Sequence, residues 1–320
     1  MSNQPSALRL TGGQRRRSTR ERLYRYVFFL CAALSIVVTV SIVGALAIDA
    51  VAFFGLVSPV EFFTGTSWIT AREEFGALPI IFGTLAVTAI AALVALPIGV
   101  AAAAYLSEYA SPRTRSILKP GLEILAGIPT VVYGYLALVY LTPFLRTFGL
   151  DLGTFNILSA SLMVGIMTIP MVSSLSEDAM SAVPDPLREA GYGLGATKYD
   201  VSVSVVIPAA ASGIFASFIL ALSRAIGETM IVAMAMGLRP QMPAIGEGPF
   251  GIPYVDPIAT VSDSGQTMTS AMVQAVTSDV SAASPTYKSM FALGLTLFAI
   301  TFGMNYLSNR IAASYREEYE

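Results

Sequence analysis

The sequence has no histidine, a single cysteine and few charges. Without histidine there is no Ser-His-Asp or Cys-His catalysis, no histidine-ligated metal and no histidine-ligated haem. The lone Cys31 lies inside an apolar run, which excludes an internal disulfide and a thiolate metal cluster. No lysine follows a glycine-rich stretch in the manner of a phosphate-binding loop, so an ATP site of that type is excluded as well. Charged residues make up 12% of the 320, about half the ~25% usual for a soluble domain. Hydrophobic residues make up 54% and the mean hydropathy is +0.67. Such a chain has too little polar surface to face water on all sides and is too apolar to be disordered. A net charge of −2 gives no basis for binding nucleic acid. The composition describes an all-α integral membrane protein, because a helix satisfies its own backbone within lipid. Neither a metal nor a cofactor is expected.

Six charge-free runs locate the spans: residues 26–48, 75–107, 124–145, 152–176, 201–223 and 289–309. Each has at least the ~20 residues that a helix needs to cross a bilayer core. The second run, 33 residues long, is too long for one upright span. Gly76 and Pro79 near its start suggest an interfacial entry, and Pro97 should kink it. The fifth continues past Arg224 and Glu228 to Leu238 and is the only apolar region with internal charge.

Basic residues orient these spans. The tail of residues 1–25 holds seven arginines: Arg9, Arg15, Arg16, Arg17, Arg20, Arg22 and Arg25. With six spans both termini share one side, which then carries 14 basic residues against four on the other. Both termini, including the short tail 313–320, are therefore expected in the cytoplasm. A cleaved leader is disfavoured, since the 23-residue first run exceeds the ~7–15 apolar residues of secretory signals. The permease-like body covers residues 26–312. The third outer loop, 239–288, is rich in Gly and Pro at first and then carries a short possible helix, Met268–Val276. It covers the outer mouth of a pathway, docks a partner or decorates the surface.

The cytoplasmic segment of about 181–208 is the most informative. Pro184 and Pro186 punctuate a helix start, Asp185 is a plausible N-cap, and Leu187–Leu194 is long enough for a short helix. Gly191, Gly193 and Gly195 follow within five residues and permit a sharp turn or close backbone approach. The result is a compact elbow suited to pushing on another protein. Its spacing resembles that of ABC-importer permeases, whose pattern is Glu-Ala-Ala, three residues, Gly, nine residues, Ile, one residue, Leu-Pro. This chain has Glu189-Ala190-Gly191, then Gly195, then Val205-Val206-Ile207-Pro208 at the same spacing, with Gly191 in place of alanine. The resemblance implies a type I (MetI-like) permease architecture with six transmembrane helices, in which the elbow is the coupling helix that meets a cytoplasmic ATPase.

Within that family the chain is similar to the phosphate-importer permeases, and to the PstC-like subunits more than the PstA-like ones. The similarity spans about residues 20–312. It is carried by Phe75-Gly76-Ala77-Leu78-Pro79, Gly83-Thr84-Leu85, Tyr105-Leu106-Ser107-Glu108-Tyr109, Glu123 to Pro129, and the run Arg224-Ala225-Ile226-Gly227-Glu228-Thr229-Met230-Ile231-Val232. The resemblance implies a heterodimer with a PstA-like permease, two PstB-like ATPase subunits and an extracytoplasmic phosphate-binding protein. The chain itself would transport rather than catalyse. Another tetrahedral oxyanion, such as sulfate or molybdate, is the alternative substrate.

Arg224 and Glu228 stand four residues apart, a spacing that places both on one face of a continuous helix. Charges within a span are expensive and face a bundle interior or a water-filled path. Two readings stay open on the residues alone: a structural ion pair, or an anion site with Arg224 meeting the substrate. The resemblance favours the second. Glu123 is expected to pair with Lys119 one turn away, and Glu177 and Asp178 are expected to be solvated. Tyr133 and Tyr135 either line a pore or pack.

Overall fold

The structure is a computed structural model, and it describes residues 11–247, 253–278 and 280–314. The arginine tail lies partly outside these residues, as do Gly248, Pro249 and Gly251 of the outer loop. Helix α1 (Thr11–Phe54) is followed by the short α2 (Pro59–Thr64) and by α3 (Leu78–Ala104). Between α2 and α3, strands β1 (Trp68–Ile69) and β2 (Glu74–Phe75) pair antiparallel. This hairpin ends just before Gly76, so α3 starts three residues inside the second apolar run. The next stretch comprises α4 (Pro112–Gly127), α5 (Thr130–Leu136) and α6 (Thr142–Arg146), and α7 (Ile157–Ser181) follows. The elbow is α8 (Asp185–Gly193), leading to α9 (Lys198–Val201), α10 (Ile207–Ala209) and α11 (Ala211–Ile226). Then come α12 (Met230–Ala235), a β3–β4 hairpin (Ile245–Glu247 with Pro253–Val255), α13 (Pro257–Ser262), α14 (Met268–Thr277) and α15 (Pro285–Ser314).

Four helices are long and apolar enough to cross a membrane: α1, α3, α7 and α15. Two bent pairs bring the number to six. The third span bends by 89° between α4 and α5, and the fifth by 68° between α10 and α11. The first bend falls at Ile128–Pro129. Ile128 is extended (φ −67°, ψ 130°), the conformation that a following proline imposes. Pro129 sets the first bend, and the second breaks a run that reads in sequence as one apolar stretch.

The core forms where α3 packs lengthwise on α7, joined by α5, α11 and α12. Its buried side chains include several small or unbranched ones, among them Ala91, Ala160, Met163 and Met167. In lipid the gain comes from close packing rather than from water exclusion, so small residues belong at such interfaces. A Cβ at Gly99 would stand 2.6 Å from Val172 Cβ, so this crossing needs glycine. A second cluster lies where α1 meets α2 and the β1–β2 hairpin, with Phe53, Phe62, Trp68 and Phe75 edge to face and rings 5.4–6.3 Å apart. It ties the first outer loop to α14 and α15. Most apolar side chains of α1, such as Leu30 and Ile36, point outward where lipid would lie.

Part of the 239–288 segment packs into the body of the protein. Gln266, Thr267, Met268 and Ser270 are buried, and the Met268 amide donates to Thr84 Oγ1 of α3 (2.9 Å). The helix expected at Met268–Val276 is α14.

Candidate functional site

Two sites were expected, and the structure builds both from chain breaks. The first is the elbow. Pro184 precedes α8 with extended backbone (φ −60°, ψ 136°), and Asp185 is the first helical residue rather than a side-chain cap. At the other end the Ala196 amide donates to Gly191 O (3.2 Å) and the Gly195 amide to Tyr192 O (2.9 Å). Gly195 has φ +82°. Together these make a Schellman turn, whose left-handed position glycine fills without strain. Thr197 and Asp200 then form a capping box that starts α9. The departure from the alanine pattern at Gly191 has a local cause: a Cβ there would stand 2.9 Å from Val201 Cγ2. Glu189, Ala190 and Tyr192 are exposed, and Leu194 is 91% exposed at the tip.

The second site is Arg224 and Glu228, and here one expectation is overturned. They do not share a helix. α11 ends at Ile226, the chain turns at Gly227, and Glu228 lies in the break before α12. Glu228 is 8% exposed. Its Oε1 accepts from the amides of Met230 (3.0 Å) and Ile231 (3.2 Å), and its carbonyl accepts from Thr269 Oγ1 (2.7 Å). Glycine at 227 allows the break, and the carboxylate holds it by occupying amides that α12 leaves free. Arg224 is exposed, and its Nη2 lies 3.8 Å from Met167 Sδ. Among the described residues no ion pair includes Arg224. The apolar stretch from Val201 to Leu238 is thus divided into three pieces, by the bend before α11 and by the break before α12.

A third constellation was missed. Glu177, expected in solvent, is fully buried. Arg115 pairs with its Oε1, and Lys119 Nζ lies 2.9 Å from its Oε2 and 3.5 Å from Asp178 Oδ1. Lys119 thus serves α7 instead of Glu123. Asp178 is exposed, as expected. A cavity of about 470 Å³ beside α4 is lined by Arg115, Ser116, Lys119 and Glu123. Tyr133 is buried, with its hydroxyl donating to Leu125 O (2.7 Å), while Tyr135 is exposed. No signal short of the fold brings residues 115 and 177 together.

Six spans around a small-residue core, with a rigid amphipathic elbow between the fourth and fifth, define the membrane subunit of an importer driven by a separate motor. The chain belongs to the binding-protein-dependent transport system inner membrane component family, whose pattern matches residues 95–316. It is 35% identical over 246 residues to the probable ABC transporter permease protein YqgH of Bacillus subtilis, covering 76% of this chain and 79% of that one. It is 34% identical over 262 residues to the phosphate transport system permease protein PstC of Mesorhizobium japonicum, covering 76% and 75%. Among solved structures, a bacterial ABC transporter for the import of alginate matches 92% of this chain and 99% of its own (TM-score 0.59, 14% identity). The methionine transporter MetNI, in an inward-facing conformation, matches 78% and 97% (TM-score 0.52, 17% identity). At these identities both show the fold alone. The protein is an ABC-importer permease of the cell membrane, crossing it several times. It works with ATPase subunits that hydrolyse ATP and with a substrate-binding protein.

Proposed function

We propose that this permease carries inorganic phosphate inward as a PstC-like subunit. Its partners would be a PstA-like permease, two PstB-like ATPases and an extracytoplasmic phosphate-binding protein. The observation that carries the reading is the Arg224 guanidinium, a permanent cation that no described carboxylate neutralises. The relatives named phosphate transport system permease protein PstC support the choice of anion. Depth supports it too: Arg224 touches Met167, the eleventh residue of the 25-residue α7, near the middle of that span. A guanidinium offers several donors in a planar fork and suits a tetrahedral oxyanion better than a point-charge ammonium does. Glu228 sits four positions on and caps α12, and its negative charge tempers the attraction so that the anion is released rather than trapped.

Transport follows alternating access. Closure of the ATPases on the exposed face of α8 (Glu189, Ala190 and the Gly191–Gly195 turn) tilts the spans and changes the side to which Arg224 opens. Both termini lie in the cytoplasm in this reading. The test is uptake of radiolabelled phosphate by the reconstituted four-component system, with sulfate and molybdate as competitors. Phosphate accumulation unaffected by the competitors is expected. Accumulation of sulfate or molybdate in place of phosphate would overturn the substrate.

A further inference from the structure

Arg188, the residue before the Glu189-Ala190-Gly191 triplet, enters the sequence reading only as one of the cytoplasmic basic residues. In the structure its side chain is only 14% exposed and gathers four acceptors. Two are carbonyls at the end of α7, of Met180 (2.8 Å) and Val183. The third is the Asp185 carboxylate (3.3 Å), which is 86% exposed and adds little. The fourth is Glu108 Oε1 (3.1 Å), whose side chain is 5% exposed. Glu108 belongs to a π-turn, Tyr105–Tyr109, that ends α3.

The elbow touches that same turn a second time. Past the Gly195 turn, Lys198 holds its ammonium 5.2 Å from the centroid of the Tyr109 ring. Arg188 within α8 and Lys198 beyond it therefore grip two consecutive residues of the turn that ends α3. Apolar packing adds little, because α8 has no buried residue. Leu187 is half-buried against the cluster of Ala103, Met180 and Val201. A helix held this lightly would move without moving the spans unless a polar joint carried the displacement.

We infer that the Arg188–Glu108 pair is the positioning joint that turns displacement of α8 into displacement of α3, and through the α3–α7 packing into movement of the core. The chemistry suits this role. Pulling the pair apart leaves a nearly buried carboxylate without its cation, which is strongly unfavourable. One guanidinium bridges the α7 carbonyls and the α3 carboxylate at once, so it fixes three segments relative to each other. A lysine reaches from a single point and cannot span them equally.

The inference rests on the reading of α8 as the coupling element, so the test keeps the two apart. The assembled complex is reconstituted in vesicles, and phosphate uptake and ATP hydrolysis are measured in the same preparation. Arg188→Gln and Glu108→Gln are each expected to lower phosphate moved per ATP by about tenfold, in the range for residues that couple sites without touching either ligand. The double variant should be no worse than the poorer single, because both remove one contact. Arg188→Lys and Glu108→Asp, which keep the charges and favour assembly, should fall between. Unchanged phosphate per ATP in these milder variants and in the glutamine variants, or losses that multiply in the double, would overturn the joint. Gly195→Asp runs in parallel. If it stays coupled, the coupling reading of α8 falls. If it uncouples while the Arg188 and Glu108 variants do not, only the joint falls.

Discussion

Glu177 and Glu228 are both carboxylates withdrawn from water, at 0% and 8% exposure, and the chain accommodates them in opposite ways. Glu177 is neutralised by cations from another segment, Arg115 and Lys119 of α4. Among the described residues no cation pairs with Glu228, which is held by amides two and three residues further along its own chain. A charge satisfied across segments locks those segments together, here the inner half of the bent third span onto α7. A charge satisfied by its own backbone locks only a local turn and leaves the neighbouring Arg224 unneutralised. The α4–α7 contact is therefore built to hold position, and the break before α12 leaves Arg224 without a described carboxylate partner.

The sharpest way to break this contrast is to strip Glu177 of both partners. Arg115→Met with Lys119→Met leaves a fully buried carboxylate unpaired and should cost about 3–5 kcal/mol, the usual penalty for such a group. The readout is thermal unfolding of the detergent-solubilised complex. Adding Glu177→Met should recover most of the loss, since an apolar replacement of the whole cluster removes the stranded charge. Wild-type Tm in the first variant would show that Glu177 is not held by those cations.

Arg224→Gln should behave in the reverse manner, with Tm unchanged and uptake lowered. The fall should be between about tenfold and a hundredfold, as expected for losing about 1.5–3 kcal/mol of charge-assisted hydrogen bonding to the anion. Near-normal uptake would remove Arg224 from the pathway. At Glu228 the amide isostere is informative. Glu228→Gln keeps an acceptor for the Met230 and Ile231 amides and should leave Tm almost unmoved. Glu228→Ala strands them and should cost about 1 kcal/mol, as for other lost caps. Equal Tm losses in the two would mean that the charge, not the acceptor, is what the break requires. Gly195→Ala should cost about 1 kcal/mol for placing a Cβ at positive φ, again read from Tm, with no steric addition, since the space beyond Gly195 is open within this chain.

The parts legible in the sequence were those written in runs and spacings. Charge-free stretches located the spans, and the interval from Glu189 to Pro208 identified the elbow. What escaped was conformation at single residues and pairing at long range. The interval between Arg224 and Glu228 is helical in spacing, and nothing but Gly227 hints that the helix stops between them. Glu177 follows an apolar run and precedes Asp178, so it looks like the start of a solvated loop. Its cations come from 62 and 58 positions earlier, by way of the bend at Pro129. Arg188 looks like any cytoplasmic arginine until Glu108 is brought to it.

The π-turns bear on how this chain can change in length. Besides Tyr105–Tyr109, they occur at Ala137–Leu141, between α5 and α6, and at Ser202–Val206, between α9 and α10. Each is a turn that carries one residue more than an α-helix would. In the second, Thr142 Oγ1 donates to Ala137 O across five positions (3.0 Å). One residue more or less turns everything beyond it by about 100°. Deleting a residue from Ala137–Leu141 would leave an ordinary helix but swing Phe144 and Phe148 to another side. Such stretches accept exchange of side chains far more readily than they accept insertion or deletion.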